Sequence, residues 1–170
     1  MPHKTTRILG LDPGVARTGY GVLQMIGTRP QALAYGCIET LSREPYALRL
    51  LRLERQLTAL LKKYRPEIAA LEQLFYSKNA KTAFAVGQAR GVLLLTVARH
   101  DIPYMEFTPQ QVKISATGYG NAKKQQVQRM IQLSLHLKKL PTPDDAADAL
   151  AIALTHAFKI GEKTGGDKVV

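Results

Sequence analysis

The sequence predicts a single α/β domain, and three features carry that expectation. Short apolar runs ending in turn residues recur as strands, the hydrophobic period switches to that of a helix between them, and no internal repeat or linker divides the 170 residues. Arg7-Ile-Leu-Gly-Leu-Asp12 is an apolar run closed by Pro13-Gly14, so it reads as a buried strand that delivers Asp12 to its end. Thr18–Met25 and Ala32–Glu39, separated by Gly27-Thr28-Arg29-Pro30, extend it into a three-stranded antiparallel meander.

From Pro45 to Tyr64 the period changes. Leu50, Leu53, Leu57, Leu60 and Leu61 recur at three- and four-residue steps, with Arg49, Arg52, Arg55, Lys62 and Lys63 on the other faces, the pattern of an amphipathic helix covering a sheet. Pro66 ends it, and Glu67-Ile-Ala-Ala-Leu-Glu72 is a fourth strand that ends in a second carboxylate. A helix is expected from Ala80 to Arg99, with Phe84, Val86, Leu93, Leu94 and Val97 partly in the core and Gly87 and Gly91 open to a close backbone approach. Ile102–Phe107 is the fifth strand. A short helix near Gln110–Ser115, a Gly118-Tyr-Gly120 loop and helices from about Ala122 and Asp144 complete a domain spanning 1–160, and 161–170 is expected to be a disordered tail.

The composition narrows the partners. With 24 Lys+Arg against 13 Asp+Glu the formal charge is +11, which suits a polyanion, nucleic acid first and an acidic membrane surface second. No apolar run approaches the roughly 18 residues of a membrane span, and the first ten residues lack the pattern of a secretion signal, so a cytoplasmic protein with no membrane partner is expected. The one cysteine, Cys37, excludes an internal disulfide and a Cys-based zinc cluster, fits a reducing compartment, and reads as a core residue. The histidines lack metal-like spacing.

Asp12 and Glu72 lie 60 positions apart (72 − 12), yet neighbouring strands of one sheet bring such ends together. In Pro143-Asp144-Asp145-Ala-Ala-Asp148 a helix begins, and Asp145 and Asp148, three apart, share a face that continues through Ile152 and so is aimed at the sheet. Singly, each acid has an ordinary explanation as a cap, a turn residue or a surface charge. Jointly placed, they repel by roughly 1 kcal/mol per pair at about 4 Å in water and about 4 kcal/mol at an effective dielectric of 20, so a cation belongs among them. Oxygen-only ligands favour Mg²⁺ or Mn²⁺ over zinc. A pair of such ions hydrolyses phosphodiesters without a Ser, His or Cys nucleophile, one activating water and the other stabilising the leaving oxygen.

Gly10-Leu-Asp12-Pro-Gly14 with Thr18-Gly-Tyr-Gly21, Glu72-Gln-Leu-Phe75, Gly87-Gln-Ala-Arg-Gly91 and Asp145-Ala-Ala-Asp148-Ala-Leu-Ala together resemble the RuvC crossover junction endodeoxyribonucleases, in the family's order from about Arg7 to Phe158. The resemblance implies a ribonuclease H-like fold with a five-stranded mixed sheet flanked by helices. It implies a homodimer that resolves Holliday junctions in recombination and DNA repair, each subunit nicking one of two symmetric strands with Mg²⁺, two ions per subunit. Asp12, Glu72, Asp145 and Asp148 fall on the family's catalytic, metal-binding carboxylates. Lys113, Lys123 and Lys124 fall among its basic residues on or near the DNA backbone, Lys124 also in a catalytic role, and Phe75, followed by Tyr76, matches an aromatic that contacts bases near the crossover. Branch-migration proteins of the same system are further implied partners.

Three rivals remain open at this stage. A ribonuclease H-like nuclease acting on ribosomal RNA shares the Leu-Asp-Pro-Gly opening, though length and the Gln-Ala-Arg-Gly helix count against it. An actin-like ATPase needs more chain than 170 residues for its two nucleotide-cradling domains. A junction-binding protein without catalysis accounts for the basic charge but gives no reason for four converging acids.

Overall fold

A computed structural model describes the backbone of residues 5–73 and 80–165, with side chains described for these except residues 80–82 and 161–165. The elements run β1 (Thr5–Asp12), β2 (Arg17–Ile26), β3 (Arg29–Glu39), α1 (Tyr46–Tyr64), β4 (Ile68–Glu72), α2 (Ala80–Arg99), β5 (Tyr104–Phe107), α3 (Pro109–Thr117), α4 (Lys124–Ser134) and α5 (Asp144–Gly165). They form one mixed sheet in the order β3-β2-β1-β4-β5, antiparallel from β3 to β1 and parallel from β1 to β5.

The strand pattern sorts the core into two layers, because successive side chains point to opposite faces of a sheet. Ile8, Leu23, Ala70 and Phe107 pack with α3, α4 and α5 on one face. Leu9, Leu11, Val22, Ala69 and Leu71 pack with Leu53, Leu57 and Leu61 of α1 and Leu93 and Val97 of α2 on the other. Burying each such leucine contributes about 1.5–3 kcal/mol relative to exposure. Arg65, at φ 47, ends α1 in a left-handed cap whose N–H returns to the Leu61 carbonyl, and Pro66 bars continuation.

Several expectations need adjusting. The β2–β3 turn is only Gly27-Thr28, with Gly27 at φ 63, and Pro30 lies inside β3; that strand is a sheet edge, where a missing N–H is tolerated. Phe84, assigned partly to the core, is 71% exposed. The helical period had rotated it to the outer face of α2, away from buried Leu93 and Val97. Cys37 is half-buried rather than in the core. The helix α5 continues to Gly165, beyond the expected start of the tail at Gly161, and residues 166–170 lie outside the described residues.

One seam positions the functional end of the sheet. The helix α5 crosses β1 and β2 at backbone distance. A Cβ placed on Gly10 would meet the Ala149 carbonyl oxygen at 2.0 Å, and one on Gly19 would meet the Asp145 carbonyl oxygen at 1.9 Å. On α5 the buried residues Ala146, Ala149 and Ala153 face this approach. Small residues on both sides therefore set the first turns of α5 against the ends of the central strands.

Candidate active site

Parallel pairing of β1 with β4 puts Leu11 beside Leu71, so the next residues, Asp12 and Glu72, leave the same end of the sheet on adjacent strands. The first turns of α5 add Asp145 and Asp148, and Thr18 fixes the turn after Asp12 by donating its hydroxyl to the Gly14 carbonyl at 2.6 Å. Asp12, Glu72 and Asp148 line one cleft of about 300 Å³ together with Lys113 of α3 and Lys124 at the start of α4. Asp145 lines the adjoining groove instead.

The electrostatics are those of a crowded acidic site. The Asp12 carboxyl is pushed up to about 8 by burial first and then by the charges of Asp148, Glu72 and Asp145, with Lys124 acting in the opposite direction. Burial, then Asp148, raises Glu72, which Lys113 partly offsets. Asp148 is raised by burial despite its ion pair with Lys124.

Two basic side chains hold part of this charge. The Lys124 Nζ lies 3.0 Å from Asp148 Oδ2 and 3.4 Å from Asp144 Oδ2. Burial works against its ammonium, but the Asp148 hydrogen bond and the two aspartate charges outweigh it and raise the lysine. Arg17 bridges Glu39 at 3.1 Å and Asp145 at 3.4 Å. The aspartates at 145 and 148 thus diverge toward different cations, and among the described residues no three acidic, His or Cys side chains converge on one ion position.

The donor set nonetheless fits hard divalent cations. All four side chains offer oxygen, and the buried Asp12 carboxyl, beside three other acids, takes up its charge only with a compensating cation near neutral pH. Asp145 and Asp148 are each paired with a partly solvent-exposed basic side chain, Arg17 and Lys124.

The sheet brings Asp12 and Glu72 together as expected, and Asp145 and Asp148 reach the same end of the molecule. Lys113 and Lys124 flank the cleft. Lys123 precedes α4, donating its N–H to Gln126 Oε1 at 2.7 Å, and is not among the cleft's lining residues. Phe75 and Tyr76 lie outside the described residues. Sequence reasoning missed Arg17, whose only local signal is a position five residues after Asp12.

The chain matches the family model of the crossover junction endodeoxyribonuclease RuvC over residues 8–156. It is 51% identical to the RuvC of Desulforamulus reducens over 150 residues, 88% of this chain and 92% of that protein. It is 49% identical to the RuvC of Syntrophomonas wolfei over 150 residues, 88% of this chain and 87% of that one. The solved structure of Thermus thermophilus RuvC in complex with a Holliday junction substrate superimposes with a TM-score of 0.88 at 34% identity, covering 94% of this chain and 97% of the other. The yeast mitochondrial resolvase Ydc2, with a TM-score of 0.64 at 16% identity over 96% of this chain and 86% of its own, shares the fold. This chain belongs to the RuvC family of crossover junction endodeoxyribonucleases.

Proposed function

We propose that this chain resolves Holliday junctions by metal-dependent hydrolysis, nicking two symmetric strands as a homodimer in DNA recombination and repair. The observation that carries this reading is the single end of the sheet at which Asp12, Glu72 and Asp148 share a cleft with Lys113 and Lys124, Asp145 adjoining. Asp12, Glu72, Asp145 and Asp148 hold Mg²⁺, two ions per subunit, with Mn²⁺ able to substitute. Divalent ions bound this way activate a water and neutralise the leaving oxygen in phosphodiester hydrolysis.

The chain's own residues do the rest. Asp12, pushed up to about 8, is protonated at neutral pH in the metal-free protein and loses that proton to become a ligand. Lys124, released from Asp148, and Lys113 neutralise charge on the phosphate seated between them, Lys124 in a catalytic role. Lys123, Phe75 and Tyr76 contact DNA, and the net charge of +11 steers the polyanion to the surface.

The homodimer is supported by α2, where Phe84, Gly91 and Leu95 are exposed at spacings of 7 and 4 that keep them on one helical face. Among the described residues no helix is long and apolar enough to cross a membrane; the lone cysteine suits a reducing compartment, and the cytoplasm is the proposed one. Branch-migration proteins of the same system complete the proposed partners, which co-purification tests.

A synthetic four-way junction in Mg²⁺ separates this reading from binding without catalysis. Glu72→Gln and Asp148→Asn abolish nicking while junction binding persists, and Lys124→Gln slows nicking about 10²-fold or more, as loss of one charge-stabilising donor does. Undiminished cleavage by either carboxylate variant overturns the proposal.

A further inference from the structure

A groove of about 920 Å³ lies beside the carboxylate cleft, and apart from Asp145 its lining has no role in the function derived so far. Asp145 forms part of its wall and Asp148, three residues further along α5, part of the cleft's, so the start of α5 separates the two spaces. It is lined further by Arg17, Thr40, Ser42, Tyr46 and Arg49. We propose that this groove is a backbone subsite for the DNA strand being cut, in which Arg49 binds a phosphate flanking the scissile one. The proposal rests on the reading of the cleft as a DNA-cutting site and names where the strand runs on leaving it.

Four observations carry it. Arg49 is held in place: its Nε donates to Thr40 Oγ1 at 2.9 Å, and its guanidinium lies 5.9 Å from the centre of the Tyr46 ring. Thr40 is itself fixed, being buried and donating its hydroxyl to the Val15 carbonyl at 2.5 Å. A guanidinium anchored through Nε and an aromatic face keeps its terminal nitrogens for a planar acceptor, and a phosphate suits that fork. Second, among the described residues no carboxylate lies within ion-pair distance of Arg49.

Third, the two carboxylates in the groove wall, Glu39 and Asp145, are paired with Arg17 rather than with Arg49, so neither competes with an incoming anion for the Arg49 guanidinium. Fourth, the groove's size suits an extended sugar-phosphate segment, and the Ser42 hydroxyl and the Tyr46 ring supply the further polar and stacking contacts such a segment takes. A strand whose scissile phosphate sits at the carboxylates has its neighbouring phosphates on either side, and this groove is the adjoining space.

The test uses the full chain, the four-way junction, and the same junction with single neutral methylphosphonates placed at successive positions beside the cut. For the unaltered protein one flanking substitution weakens binding. In Arg49→Gln that position becomes indifferent, while the others weaken binding as before. The slope of log affinity against log salt also becomes shallower by about 0.7 to 0.9, so that between 50 and 200 mM salt the unaltered protein loses about threefold more affinity than the variant.

Arg49→Lys keeps the salt slope, which a purely structural role of Arg49 does not require, and unchanged melting temperatures of both variants show that they fold. An unaltered salt slope in Arg49→Gln, or equal sensitivity to every methylphosphonate, overturns the subsite. If the unaltered protein binds the junction but never nicks it, the reading of the cleft fails instead, and the methylphosphonate pattern still decides the subsite.

Discussion

Removing one acid from the cleft should stabilise the metal-free protein. Asp12 is raised from an ordinary 3.8 to about 8 by burial and by Asp148, Glu72 and Asp145. A carboxyl raised on folding favours the folded state only while protonated. Stability is therefore whole below about pH 4, falls as pH rises, and reaches its floor above about 8. A displacement of about four on the pH scale, at about 1.4 kcal/mol each, sets an upper bound of about 6 kcal/mol. Water entering the open cleft and relaxation toward Lys124 lower this to about 2–3 kcal/mol, or about 4–12 °C in melting temperature for a chain of this size. Asp12→Asn, melted in EDTA by circular dichroism from pH 4 to 9, should match the unaltered protein at pH 4 and exceed it by that margin at pH 8.5. Mg²⁺ should then narrow the gap, since it stabilises the protein that binds it. A gap independent of pH, or an Asn variant less stable at pH 8.5, refutes the reasoning.

Two further outcomes follow from packing. Gly19→Ala puts a methyl 1.9 Å from the Asp145 carbonyl oxygen, so α5 must withdraw; a loss of about 3 kcal/mol or more in chemical denaturation, together with lost nicking, is expected. Leu95→Glu, on the exposed face of α2, should turn a species of twice 18.8 kDa into one of 18.8 kDa in sedimentation without changing the helical circular dichroism signal, and a monomeric unaltered protein refutes the dimer.

Element types were legible in the sequence wherever one period dominated. Leu53, Leu57 and Leu61 identify α1 and its buried face, and the apolar runs before Asp12 and Glu72 identify two strands and the acids at their ends. Register was not legible. That Leu11 pairs with Leu71 is a property of the parallel sheet, and the adjacency of Asp12 and Glu72 follows from it. Phe84 shows the opposite failure: an apolar residue in a helix reads as core unless the partner that covers it is known. Arg17 was invisible for a third reason. Its partner Asp145 is 128 positions away, and no local pattern encodes an ion pair formed across two elements. The outward turn of Asp145, and with it the division of the four acids between two adjoining spaces, therefore had no counterpart in the spacing of the aspartates.

The predictions for Asp12 and Gly19 have opposite signs because one packing decision produces both. The glycines of β1 and β2 and the alanines of α5 bring helix backbone against strand backbone, and buried Leu150 and Ile152 hold it there. That approach carries Asp148 into the cleft with Asp12 and Glu72 and sets Asp145 beside it, so the core's burial energy holds like charges together that would separate in water. Deleting a charge relieves the repulsion and leaves the packing intact. Adding a methyl to the seam removes the packing that enforces the repulsion, and the site is lost with it. The packing contacts thus support both the fold and the proposed cation site, whereas the acids they gather oppose stability until a proton or a cation neutralises them.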